Sequence, residues 1–359
     1  MKKYILYLIF FLSVAIFSCS ESNLDKKINK VDELIDNFVK RNNIPGLSVT
    51  IINKEGKIKY SEGFGYSDLE NNKKIIPSNS IFRIGSFSKT LTGTLLMKLY
   101  QNKQIEIDSS VGHYINNLPI DKNHITLRQI AGHKSGIRHY KDGDGMKINQ
   151  NYKSNAEAIK FFINDSLLYE PGTKFSYSTH AWTLLSLAIE KAYGNSFTNI
   201  VKDEIFSPLG LENTYPEKND LFLADKVSFY EKNDLGINVV CHEVNNSWKW
   251  AGGGYVSTTE EMASFTWQIL NSDFLRPESV NEMIKSQSLP NKEKTNYGIG
   301  WATIYDEKGN KYFGHTGGSV GGTTFVFSSK NGNIISIMAN ISDASFGKLP
   351  FKLFEIFNN

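Results

Sequence analysis

A serine and a lysine three residues apart form the first pattern that could carry out chemistry. Ser86 and Lys89 lie in the run 82–91, after which leucines recur at helical spacing from Leu91 to Leu99. Residues at i and i+3 share one face of a helix, so the two side chains are predicted to lie side by side. A serine hydroxyl becomes a nucleophile when a neighbouring base takes its proton, and a lysine with a lowered pKa is such a base. Because Ser-x-x-Lys also recurs by chance, the pair needs partners elsewhere in the chain.

The second pattern is a tyrosine-led triplet. Tyr177-Ser178-Thr179 follows a polar, turn-forming run that contains Pro171 and Gly172. A phenolic hydroxyl beside a serine–lysine pair could carry a proton to a leaving group. Taken alone, the triplet is more typical of a half-buried tyrosine that precedes a helix.

The third pattern is a glycine-rich segment at 314–322, which contains His315, Thr316, Gly317 and Gly318. Dense glycine beside a strand lets the backbone approach a ligand closely and offer its own N–H groups. A glycine-rich bulge or hairpin without a ligand explains the same residues equally well.

Taken together and in this order, the three patterns resemble the signature set of serine β-lactamases and penicillin-binding proteins. Four further segments resemble landmarks of this family and of its class C β-lactamase-related hydrolases: 44–46, 132–136, 250–254 and 297–301. The resemblance extends along most of the chain. It implies a serine hydrolase of the β-lactamase/transpeptidase-like fold.

The resemblance also assigns roles to residues. It implies that Ser86 is acylated, that Lys89 is its base and that Tyr177 relays a proton. The backbone N–H groups of Ser86 and Gly318 would form the oxyanion hole. Substrate binding would fall to residues of the second and third patterns, namely Thr179, His315, Thr316, Gly317 and Gly318.

Two residues depart from the family pattern. Thr179 stands where many relatives carry an asparagine, so a carboxamide that can donate to and accept from a substrate amide is missing. His315 stands where β-lactamases and penicillin-binding proteins carry a lysine, and a histidine is mostly neutral at pH 7 unless its surroundings raise its pKa. Both changes weaken the grip on the carboxylate of a β-lactam or a peptide end, so we expect poor β-lactam hydrolysis.

The first nineteen residues are typical of a secretory signal. Lys2 and Lys3 precede an apolar stretch at 5–17 that is too short to span a bilayer, and Ser18-Cys19 follows it. Cys19 sits where a bacterial lipoprotein signal places its acylated cysteine, although Phe17 is bulkier than a strict lipobox allows. We expect an exported protein of the bacterial cell envelope, held on the membrane by a lipid on Cys19. A plain signal peptide with a chance cysteine is the alternative.

Composition excludes several other classes of protein. The chain has 359 residues, of which 40% are hydrophobic and 21% charged, so a disordered chain and a multi-span membrane protein are both disfavoured. The net charge of +3 is small and spread along the chain, which does not indicate nucleic-acid binding. Cys241 is the only cysteine besides Cys19, so no disulfide is expected if Cys19 carries lipid.

The order of predicted elements favours an α+β fold. We predict a helix at 31–39, two strands joined by a turn at 53–56, a loop at 63–74 and helices at 127–130, 156–162 and 182–192. Strands are then predicted at 297–304, 312–315, 323–328 and 334–340, and a last helix at 350–357. Strands near both termini indicate an antiparallel sheet flanked by helices, with an inserted all-helical subdomain. We therefore expect a signal peptide at 1–19 and one hydrolase domain at 20–359, whose α/β part takes about 27–85 and 250–359 and whose helical part takes about 86–249.

No cofactor and no metal site are expected. His133 and His139 lie six residues apart and have no third ligand nearby, which is not a zinc-binding spacing. Arg83 and Arg138 could bind a substrate carboxylate, but arginines in structural salt bridges are more common.

The sequence thus indicates a serine hydrolase that attacks an amide or ester through a Ser86 acyl-enzyme, with a small molecule or peptide as substrate. Peptidase, carboxylesterase, weak β-lactamase and D-Ala-D-Ala-type carboxypeptidase stay open, and so does the oligomeric state. A silent binding or scaffold protein of the same fold is the alternative from another class, because fold does not guarantee activity. Retention of Ser86, Lys89 and Tyr177 argues against it.

Overall fold

The computed structural model describes residues 26–141, 150 and 152–358. The α-helices are α1 (26–42), α2 (Ser88–Gln101), α3 (Val111–Tyr114), α4 (Leu127–Ala131), α5 (Asn155–Ala158), α6 (Thr179–Tyr193), α7 (Phe197–Val201), α8 (Ser207–Leu209), α9 (Trp250–Gly253), α10 (Thr259–Asn271), α11 (Pro277–Ile284) and α12 (Leu349–Asn358). The strands are β1 (Gly46–Ile52), β2 (Ile58–Asp68), β3 (Lys73–Lys74), β4 (Phe82–Arg83), β5 (Tyr215–Pro216), β6 (Tyr230–Lys232), β7 (Asn238–Val240), β8 (Tyr255–Ser257), β9 (Ala302–Tyr305), β10 (Lys311–Ser319), β11 (Gly322–Ser329) and β12 (Ile334–Ala339). Short 3₁₀ helices lie at Gly85–Phe87, Ile159–Phe161 and Ser247–Lys249, and a π-helical turn at Lys202–Phe206 links α7 to α8.

A seven-stranded antiparallel sheet joins the two ends of the chain. Its order is β3-β2-β1-β12-β11-β10-β9, so the N-terminal hairpin pairs with the C-terminal strands through β1 and β12. Leu47 lies opposite Ala339 and Ile52 opposite Ile334 in that central pair. Every residue of β1 and of β12 is buried, which is the burial pattern of a sheet covered by helices on both faces.

Helices from the two chain ends cover one face of the sheet. α1 presents Val31 and Ile35, and α12 presents Leu353 and Phe354, to a core that includes Ile337 of β12. This arrangement follows from the amphipathic spacing of both helices, which leaves each with one apolar face to bury. The α+β architecture predicted from strands near both termini is confirmed.

Helix α2 lies in the main core on the other side of the sheet and is buried along almost its whole length. Leu91 and Leu95 pack into this core, and the buried threonines beside them need hydrogen-bond partners within the protein. Thr90 Oγ1 donates to the Gly300 carbonyl at 2.9 Å, and Thr92 Oγ1 donates to the Ala251 carbonyl at 2.9 Å. These hydrogen bonds fix α2 against two loops that follow much later in the chain.

The inserted segment 86–249 holds α2 to α8, as expected of a helical part. It is not entirely helical, because β5 pairs with β8 at the edge of the main core and β6 pairs with β7 as a separate hairpin. A helix-rich insertion with short strands therefore replaces the all-helical one expected from the sequence.

Two boundary predictions were wrong for reasons that involve glycine. β2 continues to Asp68, through much of the predicted loop at 63–74, because Gly65 pairs with Gly46 where two strands meet too closely for side chains. The predicted strand at 297–304 begins only at Ala302. Gly300 has a φ of +75°, and its backbone packs on the carbonyl of residue 89 instead of pairing in the sheet.

The predicted signal segment and Cys19 lie outside the described residues, so export and lipid anchoring stay predictions. Among the described helices, none combines the length and apolarity that crossing a bilayer requires.

A buried ion pair ties β4 to the residue that follows β5. Arg83 Nη2 lies 2.9 Å from a carboxylate oxygen of Glu217, and both side chains are less than one-tenth exposed. The Arg83 Nε also donates to this carboxylate at 2.9 Å, and Asn246 Nδ2 donates to it at 2.6 Å. Burial raises the pKa of Glu217, but the charge and hydrogen bonds of Arg83 outweigh burial, so the net pKa is lowered. This arginine is structural, as its residue type suggested.

We predict that Glu217→Gln lowers the free energy of unfolding by about 3 kcal/mol, because it leaves the Arg83 charge buried without a counter-charge. Urea denaturation at pH 7 measures this. The matched control is Asp36→Asn, which removes the exposed ion pair with Lys40 and should change stability little. Equal effects of the two substitutions would contradict the structural role of the buried pair.

Candidate active site

Ser86 lies in the 3₁₀ helix Gly85–Phe87, directly before α2 rather than within it. Its two neighbours are buried, whereas Ser86 itself is partly exposed. The tight turn therefore places one hydroxyl at the edge of the core, where a substrate can reach it. The 3₁₀ turn feeds directly into α2, so Ser86 and Lys89 still lie on one side, as the three-residue spacing predicts.

Lys89 is fully buried and surrounded by neutral oxygen atoms. Its Nζ lies 3.2 Å from Ser86 Oγ, 3.1 Å from Thr179 Oγ1 and 2.5 Å from the Gly252 carbonyl oxygen. Burial lowers the pKa of Lys89 well below its ordinary value, and the nearby positive charge of Lys249 lowers it further. A lysine in this state can accept the proton of the Ser86 hydroxyl.

Tyr177 covers the other side of this amine. Lys89 Nζ lies 4.8 Å from the centroid of the Tyr177 ring. Burial raises the pKa of Tyr177 above its ordinary value, while a hydrogen bond with Ser86 acts in the opposite direction. The tyrosine is therefore a neutral hydroxyl group within hydrogen-bonding reach of Ser86, placed to donate or pass on a proton.

The start of α6 fixes the tyrosine-led triplet. Ser178 is the N-cap: its Oγ accepts from the Ala181 N–H at 3.1 Å and donates to the Arg138 carbonyl at 2.7 Å. Ser178 N–H donates to His133 Nδ1 at 3.1 Å, and Thr179 N–H donates to His139 Nδ1 at 3.2 Å. His133 and His139, whose spacing does not suit a zinc site, thus accept hydrogen bonds from the backbone of the second pattern, Tyr177-Ser178-Thr179.

Both histidines must be neutral to accept these hydrogen bonds. Burial lowers the pKa of His133 well below its ordinary value and lowers that of His139 to about 4. The His133 ring also packs against Tyr177, with ring centroids 4.1 Å apart. The two histidines therefore position the triplet without adding charge to the site.

Strand β10 brings the third pattern, the glycine-rich segment 314–322, against the 3₁₀ helix that carries Ser86. Gly317 packs on the Ile84 carbonyl, where a Cβ would lie 2.0 Å from its oxygen. The Gly318 backbone packs on Gly85, where a Cβ would lie 2.8 Å from the Gly318 nitrogen. No described atom lies within 4 Å of the Cβ position of Gly318 itself, so the strand is open there. Only glycine permits this approach of strand and turn.

His315 and Thr316 of the same strand point in opposite directions. Thr316 is exposed, and with Gly318 it borders a groove of about 340 Å³ that reaches Phe346. His315 is buried, and both ring nitrogens have partners: Nδ1 donates to the Thr316 carbonyl at 2.5 Å, and Nε2 accepts from the Tyr297 hydroxyl at 2.9 Å. Burial lowers the pKa of His315 to about 3, so the ring is neutral at pH 7.

Three parts of the site were missed by sequence reasoning. The Gly252 carbonyl contacts Lys89, the Tyr140 hydroxyl interacts with Thr179, and Lys249 lies close enough to Lys89 to lower its pKa. Only Gly252 lies in a segment that resembles a landmark of the family, at 250–254, and spacing alone gives no role to a residue that meets Ser86 only in the folded chain. Across the described ranges, no group of three or more histidine, cysteine, aspartate or glutamate side chains is arranged to hold a metal ion.

The comparison that decides the family is with a model of the beta-lactamase family, which matches residues 31–352. The chain belongs to the beta-lactamase family. Members of this family are serine hydrolases, and the match spans every residue placed around Ser86 above.

Individual relatives in the beta-lactamase family support the same assignment. The human mitochondrial serine beta-lactamase-like protein LACTB is 26% identical over 86% of this chain and 76% of its own length. The protein flp of Staphylococcus aureus strain MW2 is 25% identical over 77% of this chain, which spans about half (56%) of flp.

Solved structures show the fold of this beta-lactamase family member. The octameric penicillin-binding protein homologue of Pyrococcus abyssi has a TM-score of 0.78 and 24% identity, covering 92% of this chain and 78% of its own. The D-amino acid amidase of Ochrobactrum anthropi SV3, in complex with L-phenylalanine amide, has a TM-score of 0.81 and 20% identity, covering 93% and 99%. The β-lactamase/transpeptidase-like fold predicted from the motifs is therefore confirmed.

We predict that Gly85→Ala slows the reaction of Ser86 with a fluorophosphonate by roughly 100-fold, because the new Cβ would displace β10 from the nucleophile. Gly85 has a φ of +50°, so the substitution also costs about 1 kcal/mol of stability. Gly194→Ala is the matched control: its φ is +84°, but no described atom lies within 4 Å of its Cβ position. Thermal unfolding and labelling rates separate the two effects, and equal labelling of both variants would contradict the contact with Gly318.

Proposed function

We propose that this protein is a serine hydrolase that cleaves an amide or ester bond through an acyl-enzyme on Ser86. The observation that carries the proposal is the position of Lys89 Nζ, 3.2 Å from Ser86 Oγ in a fully buried site. Within the described residues, no carboxylate forms an ion pair with this amine, whose three hydrogen-bond partners are neutral oxygens. None of these partners therefore holds a proton on the base.

Acylation begins when Ser86 Oγ attacks the substrate carbonyl carbon and its proton passes to Lys89 Nζ. The charge that develops on the carbonyl oxygen would be stabilised by the backbone N–H groups of Ser86 and Gly318. Contact between the Gly318 backbone and Gly85 supports that pairing. The leaving nitrogen or oxygen then takes a proton through Tyr177, which is in turn reprotonated from Lys89.

Deacylation reverses these roles with water as the nucleophile. A water molecule gives one proton to the Lys89–Tyr177 pair and its oxygen to the acyl carbon, which releases the acid and restores the Ser86 hydroxyl. Both half-reactions balance with the substrate and one water, so the proposal requires no metal ion or other cofactor.

The second and third motifs favour an ester or a simple amide over a β-lactam. The Thr179 hydroxyl accepts a hydrogen bond from Lys89, and a threonine has no carboxamide that could bind a substrate amide. His315 has both nitrogens occupied and no charge to offer a β-lactam carboxylate. The similarly folded D-amino acid amidase of Ochrobactrum anthropi SV3 supports cleavage of an amide as one of the two possible reactions.

We predict that Ser86→Ala abolishes covalent labelling by a fluorophosphonate while the thermal midpoint stays near that of the wild type, because only one hydroxyl is lost. Ser319→Ala is the control: its Oγ is buried and has no hydrogen-bond partner among the described residues, so labelling should persist. Intact-mass spectrometry measures the adduct. A wild-type protein that fails to label, or a Ser86→Ala variant that labels equally, would overturn the proposed function.

We predict that the labelling rate rises with pH and reaches a plateau far below pH 10.5, the ordinary pKa of a lysine. The sign follows from the base: Lys89 accepts a proton only when neutral, and burial lowers its pKa. Lys249→Met should move this rise to higher pH, because it removes a positive charge that helps to lower the pKa of Lys89.

Lys218→Met removes an exposed positive charge above the Trp250 ring and is the control, for which no movement is expected. The measurement is the second-order labelling rate of an uncharged fluorophosphonate between about pH 5 and 10. If Lys249→Met leaves the profile where it is, the charge of Lys249 does not act on the base.

A further inference from the structure

Lys249 is a buried cation near the nucleophile. It ends the 3₁₀ helix Ser247–Lys249 and is only 2% exposed. Its Nζ lies 6.0 Å from the centroid of the Tyr140 ring and 5.7 Å from that of Trp248. No carboxylate of the described chain lies within ion-pair distance of this amine. Because a buried charge is costly without a counter-charge, this lysine requires an explanation.

The charged groups around Lys249 do not supply a counter-charge for its amine. Glu217 is the acidic group that acts on it, but this carboxylate is bound by Arg83 and Asn246. Arg83 carries the same sign of charge as Lys249, burial disfavours the charged form of Lys89, and His139 is neutral at pH 7. Burial lowers the pKa of Lys249 to about 8, so the amine is still mostly protonated at pH 7.

The side chain of Lys249 lies beside the turn that carries the nucleophile. Its Cδ is 3.7 Å from the position of a Cβ on Gly253, and the Gly85 carbonyl carbon is 3.9 Å from the same position. Gly85 is the residue directly before Ser86. On the other side, Tyr140 joins Lys249 to Thr179, the residue whose hydroxyl contacts Lys89. An anion that met Lys249 would therefore lie next to a carbonyl held at Ser86.

We propose that Lys249 binds a carboxylate of the substrate, so that this hydrolase acts on amides or esters that carry one negative charge near the scissile bond. The inference deepens the proposed function and rests on it. A single carboxylate matches the site because Lys249 is one uncompensated charge, whereas a phosphate dianion would bring a second negative charge toward an uncharged Lys89. Lys249 lies beside Tyr140 and Trp248, away from the position in β10 where His315 leaves a β-lactam carboxylate without a cation.

The test uses two alkyl fluorophosphonates of equal chain length, one ending in a carboxylate and the other in its methyl ester, over a short series of lengths. Each reaction forms a bond between Ser86 Oγ and phosphorus and releases fluoride, so the physiological substrate need not be known. We expect the wild type to prefer the carboxylate probe at one length. Lys249→Met should lower the ratio of the two labelling rates by roughly 10- to 100-fold, the value of a charge-assisted hydrogen bond.

A change in the pKa of Lys89 alters the labelling rates of both probes equally, because both reactions use Lys89 as the base. The ratio of the two rates therefore reports only the preference for the carboxylate. Lys218→Met, which removes an exposed positive charge, should keep the wild-type ratio. A wild type without preference at any length, or a Lys249→Met variant with an unchanged ratio, overturns the inference. If the wild type reacts with neither probe, the proposed function itself fails, and that outcome is distinct from a reaction without preference.

Discussion

The proposed reaction depends on keeping the amine of Lys89 uncharged inside the protein. Burial disfavours its charged form, and each of its three hydrogen-bond partners is a neutral oxygen. A carboxylate in any of those places would hold the proton on Nζ and remove the base. The backbone carbonyl of Gly252 and the hydroxyl of Thr179 therefore serve as partners because they bind the amine without charging it.

Neutral histidines extend this requirement to the rest of the site. His133 and His139 accept backbone N–H groups at the start of α6, and His315 accepts the hydroxyl of Tyr297. Protonation of any of these rings would remove that acceptor and place a second positive charge near Lys89. The same burial that keeps the base neutral keeps the rings neutral, so positioning and electrostatics have one common cause.

The sequence predicts the parts of this site whose evidence is local. Ser86 and Lys89 are three residues apart, Tyr177 precedes a helix with a clear N-cap, and the glycines of β10 are adjacent. Each pattern is therefore visible in the sequence, and their order carries the family resemblance that implies their roles. The Gly252 carbonyl, Tyr140 and Lys249 could not be assigned, because their roles arise from contacts between segments distant in the chain. The fold class followed from strands near both termini, whereas β2 and β9 were misjudged where close backbone packing at glycine decides the pairing.

The position of the cation explains why a histidine can occupy position 315. A lysine there would lie between Tyr297 and Tyr177, buried and close to Lys89, where a positive charge is costly. Lys249 instead contacts the Tyr140 ring, and Tyr140 interacts with Thr179, which contacts Lys89. The side chains of Tyr140 and Thr179 therefore lie between the two lysines. At that separation the charge of Lys249 still lowers the pKa of Lys89. One residue can therefore act on Lys89 and, as proposed above, bind the substrate.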